Sequence, residues 1–247
     1  MSSRTPPLII PAINPPSDTS ASATFIFIHG LGDDAYGLES IPRQFQAANK
    51  LPHLTWVLPN ALFDQEAMQT AWHAPSPLSP FPSSRPDLDE EEDETGLKAS
   101  VEYIVSLIDD VVAQGVPPNR IVMGGFSQGH ALALLTGLIS TKYSGKLGGL
   151  VGLSGYLPLA DKIAELRGEA GLTRHVDDDV DVFLARGTRD MLVPKRHFRI
   201  CNETLFGLGV KQEKVTVKEF EGMGHVMSSS ELRDLCAWLE RVIPPLE

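Results

Sequence analysis

The segment from Met123 to Leu132, MGGFSQGHAL, places one serine between two glycines. The residues before it, from Arg120, are largely apolar and β-branched, which favours a strand, and the residues after it have the apolar content and length of a helix. A Gly-x-Ser-x-Gly pattern at a strand-to-helix corner is typical of a nucleophile elbow, which exposes the serine hydroxyl. Gly125 and Gly129 would permit a sharp turn and close backbone packing. Because a small serine in a tight turn is the alternative, the interpretation depends on finding its catalytic partners.

Strand-like and helix-like segments alternate along the chain. The strand-like runs are TFIFIHG (24–30), HLTWVLP (53–59), RIVMGGF (120–126), KLGGLVGLSG (146–155), DVFLARG (181–187) and KVTVKEF (214–220). Helices are predicted at 40–50, at 96–115, after the serine, and at 229–242. This alternation predicts a doubly wound, mostly parallel sheet with helices on both faces. The length fits one domain over residues 1–247, with residues 1–22 as an extended N-terminal segment.

The acid and the base that would activate Ser127 should follow later strands, in the chain order serine, acid, histidine. Asp190 lies in the turn after the fifth strand, whereas Asp177, Asp178, Asp179 and Asp181 precede the core of that strand and would lie at the wrong end of the sheet. Of the seven histidines, only His225 follows the sixth strand. His130 is the rival base, but the first turn of its helix would aim it differently. His197, seven residues after Asp190 in a predicted helix, is expected at the surface. We therefore predict a Ser127–His225–Asp190 triad.

An oxyanion hole would need two backbone N–H groups beside the serine. Gln128, the residue after the nucleophile, supplies one, and the loop HGLGDD after the first strand supplies the other. In that loop we expect the N–H of Leu31 to be the donor. His29 is interpreted as a structural residue that closes the strand.

These parts, together with several longer stretches, make the chain resemble the acyl-protein thioesterase family of α/β hydrolases. The stretches are FIHGLGD (27–33), EDETG (92–96), NRIVMGGFSQG (119–129), LSGYLPL (153–159), RDMLVP (189–194) and FEGMGH (220–225). The resemblance implies the same triad and oxyanion hole, on an α/β-hydrolase fold. The sequence departs from the family's usual pattern in four features. His73 and Ala74 follow Trp72 where Trp-Phe-Asp is usual, the loop that follows carries unusual prolines at 75, 77, 80 and 82, His130 replaces a glycine, and RGTRD replaces His-Gly-x-x-Asp.

The resemblance also implies a substrate class. Family members cleave fatty acyl thioesters of S-acylated cytosolic proteins, and often lysophospholipids or small esters, with the acyl chain in an apolar channel. Leu78, Tyr156 and Leu192 match channel positions, and Trp72 is expected close by as a further substrate-binding residue. No metal or organic cofactor is implied. A carboxylesterase for short esters, a non-catalytic binding protein of the same fold and a peptidase are the alternatives; the complete triad argues against the second, and the chain length against the third.

The composition limits the partners. A net charge of −11 and a pI near 5.1 argue against nucleic acid and against adhesion to anionic membranes. No apolar run is long enough to span a membrane, and the N-terminus does not read as a signal peptide. We therefore expect a cytoplasmic protein, with the nucleus as a second compartment, and a weak homodimer stays open. Two distant cysteines are expected to stay reduced. The region from Asn60 to Thr95 is predicted to be irregular. Its loop at 75–94 combines a Pro/Ser-rich part, expected to flank the active-site mouth, with an acidic run that is expected to be solvated.

Overall fold

The computed structural model describes residues 4–84, 91–176 and 180–246, and within them it contains nine strands and seven α-helices. The strands are β1 (Leu8–Ile10), β2 (Ala23–Ile28), β3 (Leu54–Leu58), β4 (Leu62–Asp64), β5 (Gln69–Ala71), β6 (Ile121–Phe126), β7 (Gly149–Leu153), β8 (Asp181–Gly187) and β9 (Val215–Phe220). The helices are α1 (Ala35–Leu38), α2 (Ser40–Ala47), α3 (Glu94–Ala113), α4 (Gln128–Ile139), α5 (Ile163–Glu169), α6 (Lys195–Gly207) and α7 (Ser229–Val242).

Seven strands form one sheet in the order β1-β3-β2-β6-β7-β8-β9, in which every neighbouring pair except β1 and β3 is parallel. The six predicted strands are β2, β3, β6, β7, β8 and β9, so the predicted α/β-hydrolase architecture, a doubly wound and mostly parallel sheet, is confirmed. Since parallel strands end at the same edge, the loops after β2, β6, β8 and β9 meet there.

Two apolar layers cover the sheet. Helices α3, α4, α5 and α6 bury their apolar faces against one side of the sheet, and α1, α2 and α7 bury theirs against the other. Every residue of α4 from Gln128 to Leu138 is buried. A helix that is apolar all round belongs in the interior. The helix that follows the predicted nucleophile is therefore held by packing on every side.

Two predictions about irregular regions need correction. The N-terminal segment is not only extended, because Leu8–Ile10 pairs with β3 as an antiparallel edge strand. The region from Asn60 to Thr95 contains the hairpin of β4 and β5. Strands of three residues are too short to show a period of two, so their pairing depends on tertiary contacts. The part of the acidic loop at 85–90, and Asp177, Asp178 and Asp179, lie outside the described residues. Among the described residues, none of the helices combines the length and apolarity needed to cross a membrane.

Candidate active site

Ser127 forms the corner between β6 and α4. Its backbone has φ 55° and ψ −118°, a conformation that a residue with a Cβ rarely adopts. The Ser127 N–H donates to the Leu153 carbonyl at 2.9 Å, and the Ser127 carbonyl accepts from the Ala131 N–H at 3.2 Å. These bonds hold the strained corner from both sides, as the elbow interpretation requires.

The two glycines of the motif allow the elbow to press against the end of β2. A Cβ on Gly129 would lie 2.0 Å from the Ile28 carbonyl oxygen, and one on Gly125 would lie 2.3 Å from the Gly129 carbonyl carbon. The predicted close packing is therefore confirmed. The positive φ of the turn, however, falls on Ser127 rather than on a glycine.

The side chains of Ser127, His225 and Asp190 form a continuous hydrogen-bonded chain. His225 Nδ1 lies 2.8 Å from Asp190 Oδ2, and His225 Nε2 lies 3.0 Å from Ser127 Oγ. Because an ionised carboxylate can only accept, Nδ1 carries the proton, and Nε2 is left to accept from the serine hydroxyl. The geometry gives the imidazole the tautomer that a general base needs.

The environment of Asp190 keeps its carboxylate charged. Burial by itself raises the pKa of this group, but hydrogen bonds from His225 and from the backbone N–H groups of Val193 and Leu192 outweigh burial, so the pKa lies below its ordinary value. Both backbone bonds to Oδ1 measure 2.9 Å. The Asp190 side chain is fully buried, whereas that of His225 is 14% exposed.

The loops that carry the acid and the base are tied to each other. The Arg189 N–H donates to the Met223 carbonyl at 2.9 Å, and the Gly222 N–H donates to Thr188 Oγ1 at 2.9 Å. Gly187 ends β8, and a Cβ there would lie 2.0 Å from the Met223 oxygen. Because the two loops pack at backbone contact, the separation between Asp190 and His225 is fixed.

The loop after β2 runs directly beside the nucleophile. A Cβ on Gly30 would lie 3.1 Å from Ser127 Cβ, and the next residue, Leu31, lines the same pocket as Ser127. His29 is buried, its Nδ1–H donates to the Gly30 carbonyl at 2.7 Å, and its Nε2 accepts from the Ala61 N–H at 3.1 Å. Burial also lowers its pKa, so the ring is neutral. The interpretation of His29 as a structural residue is confirmed.

The side chain of Gln128 connects the elbow to the loop after β5. Gln128 Oε1 accepts from the Trp72 N–H at 3.0 Å, and Gln128 Nε2 donates to the His73 carbonyl at 3.1 Å. The sequence indicated only a backbone role for Gln128. Its side chain adds a second one, since it fixes one wall of the pocket relative to Ser127.

A pocket of about 370 Å³ opens over Ser127. It is lined by Gly30, Leu31, Asp33, His73, Pro75, Ser76, Leu78, Phe126, Ser127, Gln128, Tyr156, Leu192, Val193 and His225. Leu78, Tyr156 and Leu192 were predicted here from the resemblance, and the Pro-rich loop flanks the mouth as expected. Trp72 was placed near the channel, but its indole is buried behind the wall, where Nε1–H donates to the His29 carbonyl at 2.8 Å and the ring stacks on Tyr103.

The C-terminal end of the acidic run is not the solvated loop that the sequence suggested. Glu92 Oε2 accepts from the Leu159 N–H at 2.7 Å, and its carboxylate also binds the Tyr156 hydroxyl. Burial raises the pKa of the Glu92 carboxyl. Asp93 caps α3 through the Gly96 N–H and also accepts from the Ala74 N–H. The number of acidic residues in a run does not show which of their carboxylates are hydrogen-bonded within the fold and which are solvated. Glu92 and Asp93 nevertheless both lie in the EDETG stretch on which the family resemblance rests.

Two histidines occupy unexpected positions. His130 is fully buried, and its ring lies so close to Gly152 that a Cβ there would approach it to 2.5 Å. Its Nε2 lies 4.0 Å from Cys201 Sγ, and burial lowers its pKa to about 3. The rival interpretation of His130 as the base is therefore disfavoured. His197 was expected at the surface, but it is half-buried, and its Nε2 lies 2.9 Å from the Ser79 carbonyl oxygen.

Residues 10–243 match the family described as phospholipase/carboxylesterase. The chain belongs to this family. It is 33% identical to acyl-protein thioesterase 1 of Yarrowia lipolytica, over 94% of this chain and 97% of that one. It is 34% identical to acyl-protein thioesterase 1 of Emericella nidulans, over 96% and 95% of the two chains.

Solved structures agree with this family. SOBER1 of Arabidopsis thaliana superposes with a TM-score of 0.73 at 28% identity, over 90% of this chain and 99% of that one. Acyl-protein thioesterase 2 of Zea mays superposes with a TM-score of 0.74 over 96% of this chain and 98% of that one. Its sequence identity is 23%, so this match shows a similarity of fold. This member of the phospholipase/carboxylesterase family is thus an enzyme, a hydrolase built on the α/β-hydrolase fold.

Proposed function

We propose that this hydrolase cleaves fatty acyl thioesters of S-acylated cytoplasmic proteins through an acyl-enzyme on Ser127. The observation that carries the proposal is the hydrogen-bonded chain from Ser127 Oγ through His225 to Asp190, at the base of a largely apolar pocket. The names of its relatives support the substrate class, because they are acyl-protein thioesterases.

The proposed reaction has two halves. His225 Nε2 takes the proton from Ser127 Oγ as the oxygen attacks the thioester carbonyl. The C–S bond then breaks, the leaving sulfur takes the proton from His225, and the acyl group remains on Ser127. Water attacks the acyl-enzyme in the second half, giving its proton to His225, and the fatty acid leaves as Ser127 recovers its proton. Asp190 holds the imidazole and stabilises its cation throughout.

The negative oxygen of each tetrahedral intermediate requires donors. We assign these to the backbone N–H groups of Leu31 and Gln128. Support comes from the place of Gln128 at the first turn of α4, and from the contact of the neighbouring Gly30 with the nucleophile. A helix N-terminus favours negative charge, and each such donor contributes about 3 kcal/mol in the transition state.

The acyl chain would lie along Leu78, Tyr156 and Leu192. Each methylene removed from water contributes up to about 0.8 kcal/mol, so longer chains should react faster until the pocket is filled. Because the lipid of the substrate supplies this attraction, an acidic protein can act at a membrane without a basic patch.

A carboxylesterase for short esters is the second candidate. It is favoured by Leu192, whose side chain lines the pocket but stays 66% exposed, so that a long chain would remain partly in water. A series of kcat/KM values on thioesters from two to sixteen carbons separates the two candidates. A steady rise with chain length supports the thioesterase, whereas a flat or falling series makes the short-chain esterase the better assignment. Ser127→Ala, which should abolish turnover of every member, provides the control.

A further inference from the structure

The loop after β2 is held by hydrogen bonds from the short strand β5. The Gly32 N–H donates to the Thr70 carbonyl at 2.8 Å, and Thr70 Oγ1 donates to the Asp33 carbonyl at 2.6 Å. Gly32 has φ 77°, and a Cβ there would lie 2.6 Å from Gln69 Oε1. The strand therefore contacts the loop at the two residues directly after Leu31, whose N–H we assign to the oxyanion hole.

Trp72, directly after β5, holds the other end of the same loop. Its Nε1–H donates to the His29 carbonyl at 2.8 Å, and its backbone N–H donates to Gln128 Oε1 at 3.0 Å. One short segment, 70–72, is thus bonded to the loop before and after Leu31, and also to the residue that follows the nucleophile. The two residues to which we assign the oxyanion donors are therefore placed relative to each other by this segment.

The segment is itself attached to the long helix α3. The Ser100 hydroxyl donates to the Trp72 carbonyl, and the indole of Trp72, which is 2% exposed, stacks on Tyr103 of the same helix. On its other side β5 pairs with β4. Because α3 packs its apolar face on the sheet, the segment has a fixed support. Functional groups are held most accurately when such supporting contacts lock their positions.

We propose that Thr70 is a positioning residue for the reaction. Its hydroxyl, through the Asp33 carbonyl, holds the Leu31 N–H where the charged oxygen of the tetrahedral intermediate forms on Ser127. The inference rests on the proposed function, because it needs Leu31 to be an oxyanion donor. Among the described residues, the backbone bonds of this loop do not use the Leu31 N–H, which stays available to the substrate. A misplacement of about 1 Å can lower a rate by about a hundredfold.

The test compares Thr70→Val, which removes the hydroxyl and keeps the shape, with Thr70→Ser, which keeps the hydroxyl. Donors to the oxyanion act in the transition state more than in the ground state. We therefore expect Thr70→Val to lower kcat about tenfold on 4-nitrophenyl butyrate and on an octanoyl thioester, with KM within a factor of about two. Thr70→Ser should recover most of the loss. Thr70→Ala, which also lacks the hydroxyl, should lose as much as Thr70→Val.

A matched control lies at the opposite end of the sheet. Thr55, near the start of β3, accepts from the Ala12 N–H at 3.3 Å through its hydroxyl. Thr55→Val removes one hydrogen bond between a strand hydroxyl and the backbone of a loop, so it should lower stability as Thr70→Val does and leave kcat unchanged. Complete labelling with a fluorophosphonate counts the active sites, so that each kcat refers to folded enzyme.

An octyl trifluoromethyl ketone supplies a second measurement. Ser127 Oγ adds to its carbonyl carbon, the serine proton passes to His225, and the ketone oxygen becomes the negative oxygen that the donors hold. Its inhibition constant should rise about tenfold in Thr70→Val, in parallel with the fall in kcat. The inhibition constant of the corresponding secondary alcohol, which cannot form the adduct, should not change.

Three results would overturn the proposal: an unchanged kcat in Thr70→Val, equal losses in Thr70→Val and Thr70→Ser, or a rise in KM without a fall in kcat. An unchanged inhibition constant for the trifluoromethyl ketone would do the same. If the wild type hydrolyses the butyrate ester and not the octanoyl thioester, the proposed substrate class fails, and the comparison of Thr70 variants on the ester still decides this inference.

Discussion

Asp190 and Glu231 are two buried carboxyl groups on either side of His225 in the sequence, and their surroundings are opposite. Asp190 accepts three hydrogen bonds, and its pKa lies below the ordinary value even though burial opposes this. Glu231, in the first turn of α7, is 0% exposed, none of the described residues makes a well-formed hydrogen bond to its oxygens, and only the backbone N–H of Ser228 acts to favour the charged form. Burial raises its pKa to about 7. Burial alone favours a neutral carboxyl group; only donors aimed at the oxygens keep one charged.

The difference between the two carboxyl groups distinguishes a proposed catalytic role from a structural one. The donors around Asp190 belong to the loop that it starts and to His225, and in the proposed mechanism its charge orients the imidazole. The Glu231 N–H donates to Ser228 Oγ, which caps α7, and the Ser228 N–H acts on the Glu231 carboxyl group in return, so the role that the described contacts give this carboxyl group is local, at the start of the helix. The two carboxyl groups are similarly buried. They therefore differ in function because two or three hydrogen-bond donors surround one of them, Asp190.

Replacing the base should have the largest effect. We expect His225→Ala to lower kcat by several orders of magnitude on any substrate, because His225 Nε2 is the acceptor that lies within hydrogen-bond distance of Ser127 Oγ among the described residues. His130→Ala, a matched removal of a buried imidazole, should lower kcat little while costing stability through the cavity that it leaves. Steady-state kinetics and thermal unfolding of both variants provide the measurements. A larger kinetic loss in His130→Ala would mean that the proton takes another route.

The acid should come next. Asp190→Asn keeps the size of the side chain but cannot hold the imidazole with a charge, so we expect kcat/KM to fall by roughly three to four orders of magnitude. Glu231→Gln is the matched control and should stay within a factor of about two. Similar decreases in kcat/KM for the two variants would contradict the proposed difference in role between the two carboxyl groups.

The positions of Asp190 and His225 could be predicted because strand ends set them: each follows a parallel strand whose carboxyl end faces Ser127. The protonation state of Glu231 could not be predicted. The sequence around it, SSSELRDL, is typical of an ordinary helix start, and its burial depends on packing by distant strands. The same holds for Glu92, which appeared in a run of acidic residues, and for Trp72, whose indole turned behind the pocket. Sequence patterns locate a residue on an element, whereas the partners of its side chain depend on tertiary contacts.

Glu231→Gln should change stability rather than rate. A carboxyl group with a raised pKa in the folded state binds its proton more tightly there, so the wild type loses stability as the pH rises from about 4.5 to about 7. The loss is on the order of 3 kcal/mol, from the shift between those two values. The glutamine is neutral throughout. The difference in free energy of unfolding should therefore be near zero at pH 4.5 and favour the variant above pH 7. A difference independent of pH would show that Glu231 has a partner in solution.

The smallest effect concerns the outer wall of the pocket. Leu192→Trp should fill the space along which a long chain lies, and we expect kcat/KM for long-chain thioesters to fall about tenfold more than for acetyl thioester. Kinetics across the chain-length series measures this. Equal losses for all lengths would indicate that the acyl chain leaves the pocket by another path.

The central claim is that Ser127 is the nucleophile, activated by the His225–Asp190 pair. Treating the enzyme with a fluorophosphonate and mapping the modified peptide by mass spectrometry tests it most directly. We predict that the label is found on Ser127, that Ser127→Ala takes up none, and that Asp190→Asn reacts far more slowly while Glu231→Gln reacts at the rate of the wild type. Labelling of a different residue, or undiminished labelling of Ser127→Ala, would contradict the account.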